Sequence, residues 1–203
     1  GRAKAVDTKA RTVLFDEGAA LAFDRLLIAT GSSPVRPGSL WVASPRVMDS
    51  TAGLDLPDIP KRLLVIGGGY IGLEMGTVYA ALGSEVTVVE ALPQLLNGPD
   101  RDLVAVLEKR LTKQFKRILR NTKVASLKDT GKVVKVQFTA PDGTNSEESF
   151  ERVLIAVGRR PNTANLGLEH TKIKLDAKGF VPVDGQRRTA EPTIFAIGDV
   201  AGE

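Results

Sequence analysis

The fold class of this chain is predicted by residues 62–72, Arg62-Leu63-Leu64-Val65-Ile66-Gly67-Gly68-Gly69-Tyr70-Ile71-Gly72. Its apolar run, Leu63 to Ile66, predicts a buried β-strand. The glycine cluster after it has the spacing G-x-G-x-x-G, and a helical stretch then runs up to Gly83, a residue that stops helices. Because Glu85–Glu90 predicts a second strand, residues 61–90 are expected to form one βαβ unit.

The glycines of this loop match the requirements of a dinucleotide-binding turn. Gly67 allows the tight turn, Gly69 lets the backbone approach a pyrophosphate, and Gly72 lets helix and strand pack closely. The free N–H groups at the helix N-terminus then face the phosphates. Since the glycines lie between a strand and a helix, we predict a Rossmann-like NAD-binding domain; the alternative is a glycine-rich turn without a ligand.

Glu90 ends the second predicted strand, 18 residues after Gly72. An acidic side chain at this point accepts hydrogen bonds from both hydroxyls of the adenosine ribose, and it repels a 2′-phosphate. The next residues, Ala91-Leu92-Pro93, supply no arginine for such a phosphate. The sequence therefore predicts NAD rather than NADP, with a solvated glutamate at a strand end as the alternative.

The residues before this unit divide into two parts. Residues 1–30 contain a β-type run, Thr12–Phe15, and a buried run, Leu26–Ala29, which predict a small sheet. Residues 31–60 are rich in Pro, Ser and Gly and predict a loop or linker. We expect a domain boundary near Ser50, which divides the chain into a segment at 1–49, a Rossmann-like domain at 50–163 and a return segment at 164–203.

The residues after the unit continue the α/β pattern. An amphipathic helix is predicted from Asp100 to about Lys116, with an apolar stripe of Leu103, Leu107, Leu111 and Phe115. An antiparallel β excursion and a buried strand, Val153–Val157, are expected next. Short strands are then predicted at Lys172–Leu175, Phe180–Val183 and Thr193–Ile197.

Composition excludes several classes of function. The 203 residues have a net charge of +4 without a basic block of the kind that follows a nucleic-acid backbone, so no nucleic acid is expected. No run of about 18 apolar residues exists to cross a membrane, and the first residues lack the apolar part of a signal peptide, so a cytoplasmic location is expected. The chain has no cysteine, which excludes disulfides, thiolate metal sites and thiol chemistry by its own residues.

Three further stretches carry a family resemblance. Leu27–Ser32, Leu154–Pro161 and Thr193–Asp199 each run from an apolar strand into small residues, and together they resemble the flavoprotein disulfide reductases. Within this superfamily, the chain most resembles dihydrolipoamide dehydrogenase, in unbroken order over nearly its whole length. The stretches that carry this resemblance are Gly67–Glu74, Val86–Glu90, Asn121–Val124, Gly158–Thr163 and Ala196–Val200.

The resemblance implies two sets of cofactor contacts. The NAD contacts that it implies are Gly67, Gly68, Gly69, Tyr70, Ile71, Gly72, Leu73, Glu74, Glu90, Val124 and Gly158. The FAD contacts that it implies are Gly1, Thr30, Gly31, Ser32 and Asp199. It implies that Tyr70 lies at the nicotinamide pocket and that Glu74 points towards the flavin. Two alternatives remain: Tyr70 could be a packing aromatic, and Glu74 could be a first-turn acid that the helix dipole favours. His170, the only histidine, is expected at the surface, and no residue is expected to bind metal.

The chain departs from the family pattern in three features. It has no FAD-type G-x-G-x-x-G before the one at Gly67, no C-x-x-x-x-C disulfide, and no C-terminal dimerisation domain with a His–Glu acid/base pair. The chain therefore resembles a central fragment that is inactive alone and that holds FAD poorly. For the whole enzyme, the resemblance implies a homodimer that takes electrons from dihydrolipoamide on the lipoyl domain of 2-oxo acid dehydrogenase complexes and passes them through a disulfide and FAD to NAD⁺.

Two other interpretations stay open. One is another flavoprotein disulfide reductase of the mercuric reductase or NADH oxidase type, which would share the NAD site. The other is a stand-alone, non-catalytic NAD-binding module.

Overall fold

The computed structural model describes residues 1–56 and 58–202, which fold as two compact units. Unit 1 contains Gly1–Ser33 and Arg159–Glu203, and unit 2 contains Pro34–Gly158. The sequence predicted boundaries after residues 49 and 163 instead. The structure assigns residues 34–49 to unit 2 because a strand at 47–49 pairs with the central sheet of that unit.

The strands are β1 (Ala3–Asp7), β2 (Thr12–Phe15), β3 (Leu21–Ala22), β4 (Leu26–Ile28), β5 (Ser32–Pro34), β6 (Val47–Asp49), β7 (Arg62–Ile66), β8 (Glu85–Val89), β9 (Arg117–Leu119), β10 (Lys123–Asp129), β11 (Val134–Thr139), β12 (Asn145–Phe150), β13 (Arg152–Ile155), β14 (Arg159–Pro161) and β15 (Ile194–Ala196). The α-helices are α1 (Ser50–Leu54), α2 (Tyr70–Ala81) and α3 (Arg101–Gln114). Single 3₁₀ turns lie at Leu168–His170 and Gly198–Ala201.

Unit 2 is built on a parallel sheet with the strand order β6-β13-β7-β8-β9. The predicted βαβ unit is confirmed as β7, α2 and β8 at the centre of this sheet. On one face, α2 and α3 pack their apolar side chains on β7 and β8, with Tyr79 and Leu63 fully buried. The parallel sheet with helical crossovers confirms the α/β, Rossmann-like fold class.

The other face of the parallel sheet is covered by the predicted antiparallel excursion. Strands β10, β11 and β12 form a three-stranded antiparallel sheet, whose Val136, Phe138 and Phe150 pack on Leu64 and Ile155. This covering explains why the central strands run apolar instead of alternating, since both of their faces are buried.

The inward face of α3 differs from the predicted stripe. Leu103 is 64% exposed, whereas its neighbour Val104 is 3% exposed and lies in the core. The residues that face inward are therefore Val104, Leu107 and Leu111, at the spacing i, i+3, i+7 of one helix face. Phe115 is buried as predicted, but it follows the helix end.

The predicted linker at residues 31–60 contains regular structure. Strands β5 and β6 and helix α1 lie within it, and Asp49 is the N-cap of α1. One carboxylate oxygen of Asp49 accepts hydrogen bonds from the N–H groups of Thr51 and Ala52, while the other accepts from Arg36 at 2.6 and 2.9 Å. The guanidinium of Arg36 also lies 4.4 Å from the ring centre of Trp41. One buried carboxylate thus joins Arg36 to the N-terminus of α1.

Asp49 is expected to make the stability of unit 2 depend on acid pH. Burial raises its pKa, but the hydrogen bonds from Ala52, Arg36 and Thr51 outweigh burial, so the pKa is lowered overall. A carboxyl whose pKa is lower in the folded state stabilises the fold above its unfolded pKa, about 3.9, and loses that contribution as the pH falls through the folded value.

The variant Asp49→Asn keeps an N-cap acceptor but loses the ion pair with Arg36, so we expect it to cost about 2 kcal/mol at pH 7. The difference from the wild type should shrink below about pH 4. Urea unfolding at several pH values, followed by the fluorescence of the single tryptophan, Trp41, measures this. A stability difference between the wild type and Asp49→Asn that does not change with pH would contradict the stabilising role of the Asp49 carboxylate.

Unit 1 contains small sheets around one core. Strands β1, β2 and β3 form an antiparallel sheet, β4 pairs in parallel with β15, and β14 pairs with β5. The core contains Ile28, Ile194 and Ala196 from the β4–β15 pair. The predicted strands at Thr12–Phe15, Leu26–Ala29 and Thr193–Ile197 are confirmed within a residue or two.

The predicted strands at Lys172–Leu175 and Phe180–Val183 are wrong. Ile173 and Val181 are buried, which produced the apolar pattern, but the backbone between them turns. The Asp176 carboxylate accepts hydrogen bonds from the N–H groups of Lys178 and Phe180, so these groups are satisfied by a side chain rather than by a neighbouring strand. Among residues 1–56 and 58–202, no helix has the length and apolar character needed to cross a bilayer.

Candidate functional site

The loop between β7 and α2 is shaped by contacts that only glycine permits. Gly67 has a φ of +111°, and a Cβ there would lie 2.4 Å from the carbonyl oxygen of Ala156. A Cβ on Gly72 would lie 2.1 Å from the carbonyl oxygen of Gly67. The predicted roles of Gly67 in the turn and of Gly72 in close packing are therefore confirmed.

Gly69 differs from these two glycines because it faces open space. A Cβ built on it would meet no atom within 4 Å, and its backbone conformation, with a φ of −78°, is one that any residue adopts. It is the N-cap of α2, and no side chain of the described residues, 1–56 and 58–202, caps this helix end. A helix of 12 residues thus presents its N-terminal N–H groups beside a glycine that leaves room for a ligand, which is the arrangement that binds phosphate.

Glu90 is in direct contact with the glycine loop. One oxygen of its carboxylate accepts a hydrogen bond of 2.7 Å from the N–H of Gly68, and the other accepts one of 2.8 Å from the N–H of Leu92. Each carboxylate oxygen can accept a further hydrogen bond, because it has two lone pairs. Glu90 can therefore hold the glycine loop and still accept a donor from a diol.

Gly158 and Val124, the distant members of the predicted set, lie near the same loop. The residues just before Gly158 approach Gly67, since Ala156 donates its N–H to the carbonyl of Ile66. Strand β10, which contains Val124, begins just after Thr122, whose N–H donates to the carbonyl of Glu90. Unit 2 thus brings these predicted residues to one end of its parallel sheet.

In the first turns of α2, some side chains are buried in the core and others are exposed to solvent. Leu73 is buried and Ile71 is partly buried against the core, whereas Tyr70 is 65% exposed. That exposure disfavours the alternative of Tyr70 as a packing aromatic. Glu74 is exposed and is the fifth residue of the helix, so the alternative of a first-turn acid is wrong.

A second polar cluster lies in unit 1 and contains several of the predicted FAD residues. The hydroxyl of Ser32 donates to the carboxylate of Asp199 at 2.5 Å, and Arg159 donates to both the hydroxyl and the carbonyl of Ser32. Asn162 bonds through its backbone and side chain to Thr30, Gly31 and Ser33. The side chain of Asp199 stays 53% exposed. The cluster therefore presents an oriented carboxylate to solvent.

Two other predicted residues lie elsewhere in unit 1. Gly1 lies beside Phe15 and Glu17 on the antiparallel sheet. His170 has a side chain that is 69% exposed and lies 3.6 Å from Glu169, which confirms its surface position.

Sequence reasoning missed several residues that shape the two clusters. Leu95 is 1% exposed and lies over Gly68, where a Cβ would come within 2.6 Å of it. Leu96 donates its N–H to the carbonyl of Gly68 at 3.0 Å. Leu95 and Leu96 are an apolar pair within a segment rich in Pro, Asn and Gly, and this pattern could have indicated that they pack against the core. Arg159 and Asn162 lay in a stretch that the resemblance included, but nothing in the sequence showed that they bond to residues 30–33.

The comparisons with known proteins agree with this geometry. The family model described as pyridine nucleotide-disulphide oxidoreductase matches residues 1–203. The dihydrolipoyl dehydrogenase of Haemophilus influenzae is 44% identical over 183 residues, which are 89% of this chain and 37% of that protein. The chain thus spans less than half of the length of this curated relative.

Solved structures show the same similarity in three dimensions. The HOCl-induced flavoprotein disulfide reductase of Escherichia coli matches 99% of this chain and 44% of its own, with a TM-score of 0.85 and 30% identity. The water-forming NADH oxidase of Lactobacillus brevis, solved with NADH bound, matches 98% of this chain and 45% of its own, with a TM-score of 0.80 and 26% identity. The predicted resemblance is confirmed: this chain belongs to the pyridine nucleotide-disulphide oxidoreductase family.

Proposed function

We propose that this chain provides the NAD-binding part of a dihydrolipoamide dehydrogenase, in which electrons pass from dihydrolipoamide through a redox disulfide and FAD to NAD⁺. The observation that carries the proposal is the contact between Glu90 and Gly68, beside the open Gly69 and the uncapped N-terminus of α2. The curated relatives named dihydrolipoyl dehydrogenase support the choice of reaction.

The residues of unit 2 would bind the dinucleotide as follows. The N–H groups of the first turn of α2 would hold the pyrophosphate, and the open face of Gly69 would let it approach. Glu90 would accept hydrogen bonds from the adenosine ribose, with Val124 beside the adenine. Tyr70, Glu74 and Gly158 would lie on the nicotinamide side. When bound, NAD supplies the acceptor for an electron pair.

The same geometry supports NAD over NADP. The carboxylate of Glu90 is already held in place by two backbone N–H groups, so it cannot move away from a 2′-phosphate without losing both hydrogen bonds. Residues 91–93 supply no cation to compensate a phosphate there. The NADH oxidase of Lactobacillus brevis, whose structure contains NADH, supports the same cofactor.

Glu90→Gln is expected to weaken NADH binding about tenfold, because a neutral amide replaces a charged acceptor of the ribose hydroxyls. Its amide oxygen can still accept from Gly68 or Leu92, but its –NH2 group then faces the other N–H donor, so the urea midpoint of unit 2 is recorded beside the affinity. Fluorescence titration with NADH and NADPH gives the two dissociation constants, and the preference for NADH should fall. Glu85→Gln, an exposed glutamate at the start of the same strand, is the matched control. An unchanged affinity for NADH in Glu90→Gln would contradict the assignment.

The residues of unit 1 fit only one end of FAD. Asp199, oriented by Ser32, is suited to accept hydrogen bonds from the hydroxyls of a polyol such as the ribitol of FAD. Thr30, Gly31 and Gly1 remain proposed contacts. The sequence offers no second G-x-G-x-x-G for the ADP half of this cofactor.

The purified 203-residue chain is therefore expected to be colourless and to bind NADH. Its visible absorbance spectrum, recorded before and after addition of FAD and gel filtration, measures flavin retention. Stoichiometric FAD in the untreated preparation would show that unit 1 holds the cofactor by itself. A colourless protein that binds NADH tightly is also the result expected for a non-catalytic NAD-binding module. The disulfide reaction must therefore be tested on the full-length enzyme.

The partners of the whole enzyme stay predictions. We propose a homodimer that acts on the lipoyl domain of a 2-oxo acid dehydrogenase complex, in the cytoplasm. The mercuric reductase and NADH oxidase alternatives would share the dinucleotide site of unit 2.

A further inference from the structure

We propose that Arg101 is a positioning residue of the dinucleotide site, which acts through the 91–99 loop on the peptide groups of Gly68. The 91–99 loop is the segment between Glu90 and the N-cap of α3 at Asp100. This inference rests on the proposed function, because the dinucleotide is the ligand whose affinity it concerns.

The backbone of Gly68 is held from both sides. Its N–H donates to Glu90 at 2.7 Å, and its carbonyl accepts from the N–H of Leu96 at 3.0 Å. The buried side chain of Leu95 closes over the same residue. The conformation of the glycine loop therefore depends on where the 91–99 loop places Leu95 and Leu96.

Leu96 is in a conformation that it would not adopt unaided. Its φ is +49°, in the left-handed region that side chains other than glycine rarely enter, and such a residue persists only when its surroundings hold it there. If Leu96 relaxed to an extended conformation, the peptide groups on the two sides of its Cα would turn relative to each other, so its N–H could not keep its bond to Gly68 while both carbonyls stayed where they are. Something must therefore fix the peptide groups beside it.

Arg101 supplies that restraint. Its Nη2 donates to the carbonyl of Leu95 at 3.2 Å and to the carbonyl of Leu96 at 3.0 Å. Arg101 is the first residue of α3, where a positive charge opposes the helix dipole, so helix stability does not explain an arginine at this position. Its hydrogen bonds to the two carbonyls do.

The consequence for binding follows from how the loop would hold a phosphate. Backbone N–H groups bind phosphate only when they point at it, and a loop that samples other orientations must be ordered at each binding event. Loss of Arg101 should therefore weaken the binding of NADH, although every group proposed to contact NADH is still present. We expect about a tenfold increase in the dissociation constant, the size of one charge-assisted hydrogen bond.

The test compares Arg101→Ala with Arg110→Ala, which removes the same charge from an exposed position on the same helix. NADH titration should show about a tenfold loss for Arg101→Ala and none for Arg110→Ala. Arg101→Lys, whose ammonium can reach one of the two carbonyls, should lie between the wild type and the alanine variant.

A second measurement does not depend on the ligand. Hydrogen exchange of the Leu96 amide in the ligand-free protein should be faster in Arg101→Ala, because its hydrogen bond to Gly68 opens more often. Equal NADH affinity for Arg101→Ala and the wild type, an equal loss in Arg110→Ala, or unchanged exchange at Leu96 would overturn the proposal. If the wild type itself does not bind NADH, the proposed function fails, whereas the restraint on Leu96 is still decided by the exchange rates.

Discussion

Gly72→Ala is expected to destabilise unit 2 by about 3 kcal/mol or more, the upper range for overpacking a tight contact. The added methyl group would lie 2.1 Å from the carbonyl oxygen of Gly67 and 3.2 Å from the side chain of Val65. The nearer atom belongs to the backbone and cannot rotate away. Helix α2 must therefore move off strand β7, which opens the core that contains Leu63 and Tyr79.

Urea unfolding followed by Trp41 fluorescence measures this effect in unit 2, because Trp41 packs on the core of that unit. The control is Gly69→Ala, a methyl group added three residues earlier in the same loop, where it meets no atom within 4 Å. It should cost at most about 1 kcal/mol, the usual effect of alanine at an N-cap. Equal losses in the two variants would show that the close approach at Gly72 does not carry the stability.

Gly69→Val is expected to lose NADH affinity rather than stability: unit 2 should fold almost normally, and the affinity for NADH should fall about 100-fold or more. Its side chain would project into the open space beside the N-terminus of α2, where we propose that the pyrophosphate lies. The helix, the sheet and the contact between Glu90 and Gly68 would all remain.

Titration of Gly69→Val with NADH measures this loss, and the urea midpoint of the same sample shows that unit 2 is folded. Leu103→Ala provides a second reference, since Leu103 is exposed on α3 and contributes little to the core. If Gly69→Val binds NADH as tightly as the wild type, the phosphates do not pass over Gly69 and the proposed dinucleotide pose is wrong.

Elements with a strong local pattern could be predicted from the sequence. The βαβ unit was found because an apolar strand, a glycine loop and a helix follow one another within about 30 residues, and each has its own signature. The roles of Gly67 and Gly72 followed from the same pattern, because the turn has a φ of +111° at Gly67 and the helix that follows it approaches the loop closely at Gly72. The contact of Gly67 with the carbonyl of Ala156 is set by tertiary packing instead.

Predictions failed where two neighbouring residues were equally suitable for burial. Leu103 and Val104 are both apolar, and only the docking of α3 on the sheet selects Val104. Similarly, Ile173 and Val181 are buried without being in strands, because the Asp176 side chain satisfies backbone groups that a ladder would otherwise have paired. The apolar pattern of the sequence showed that Ile173 and Val181 are buried, but it did not show the hydrogen-bond partner of each nearby backbone group.

The amino-acid sequence was enough to predict the α/β class, the position of the glycine loop, the acidic residue that follows β8 and the family. All of these except the family depend on residues close together in the chain, where steric limits and periodicity act directly. The residues that support the two clusters became known from the three-dimensional structure. Leu96 reaches Gly68 through a loop, Asn162 reaches Thr30 across 132 positions, and Ser32 reaches Asp199 across 167. Such hydrogen bonds depend on tertiary packing, because packing alone brings donors and acceptors from distant segments within reach.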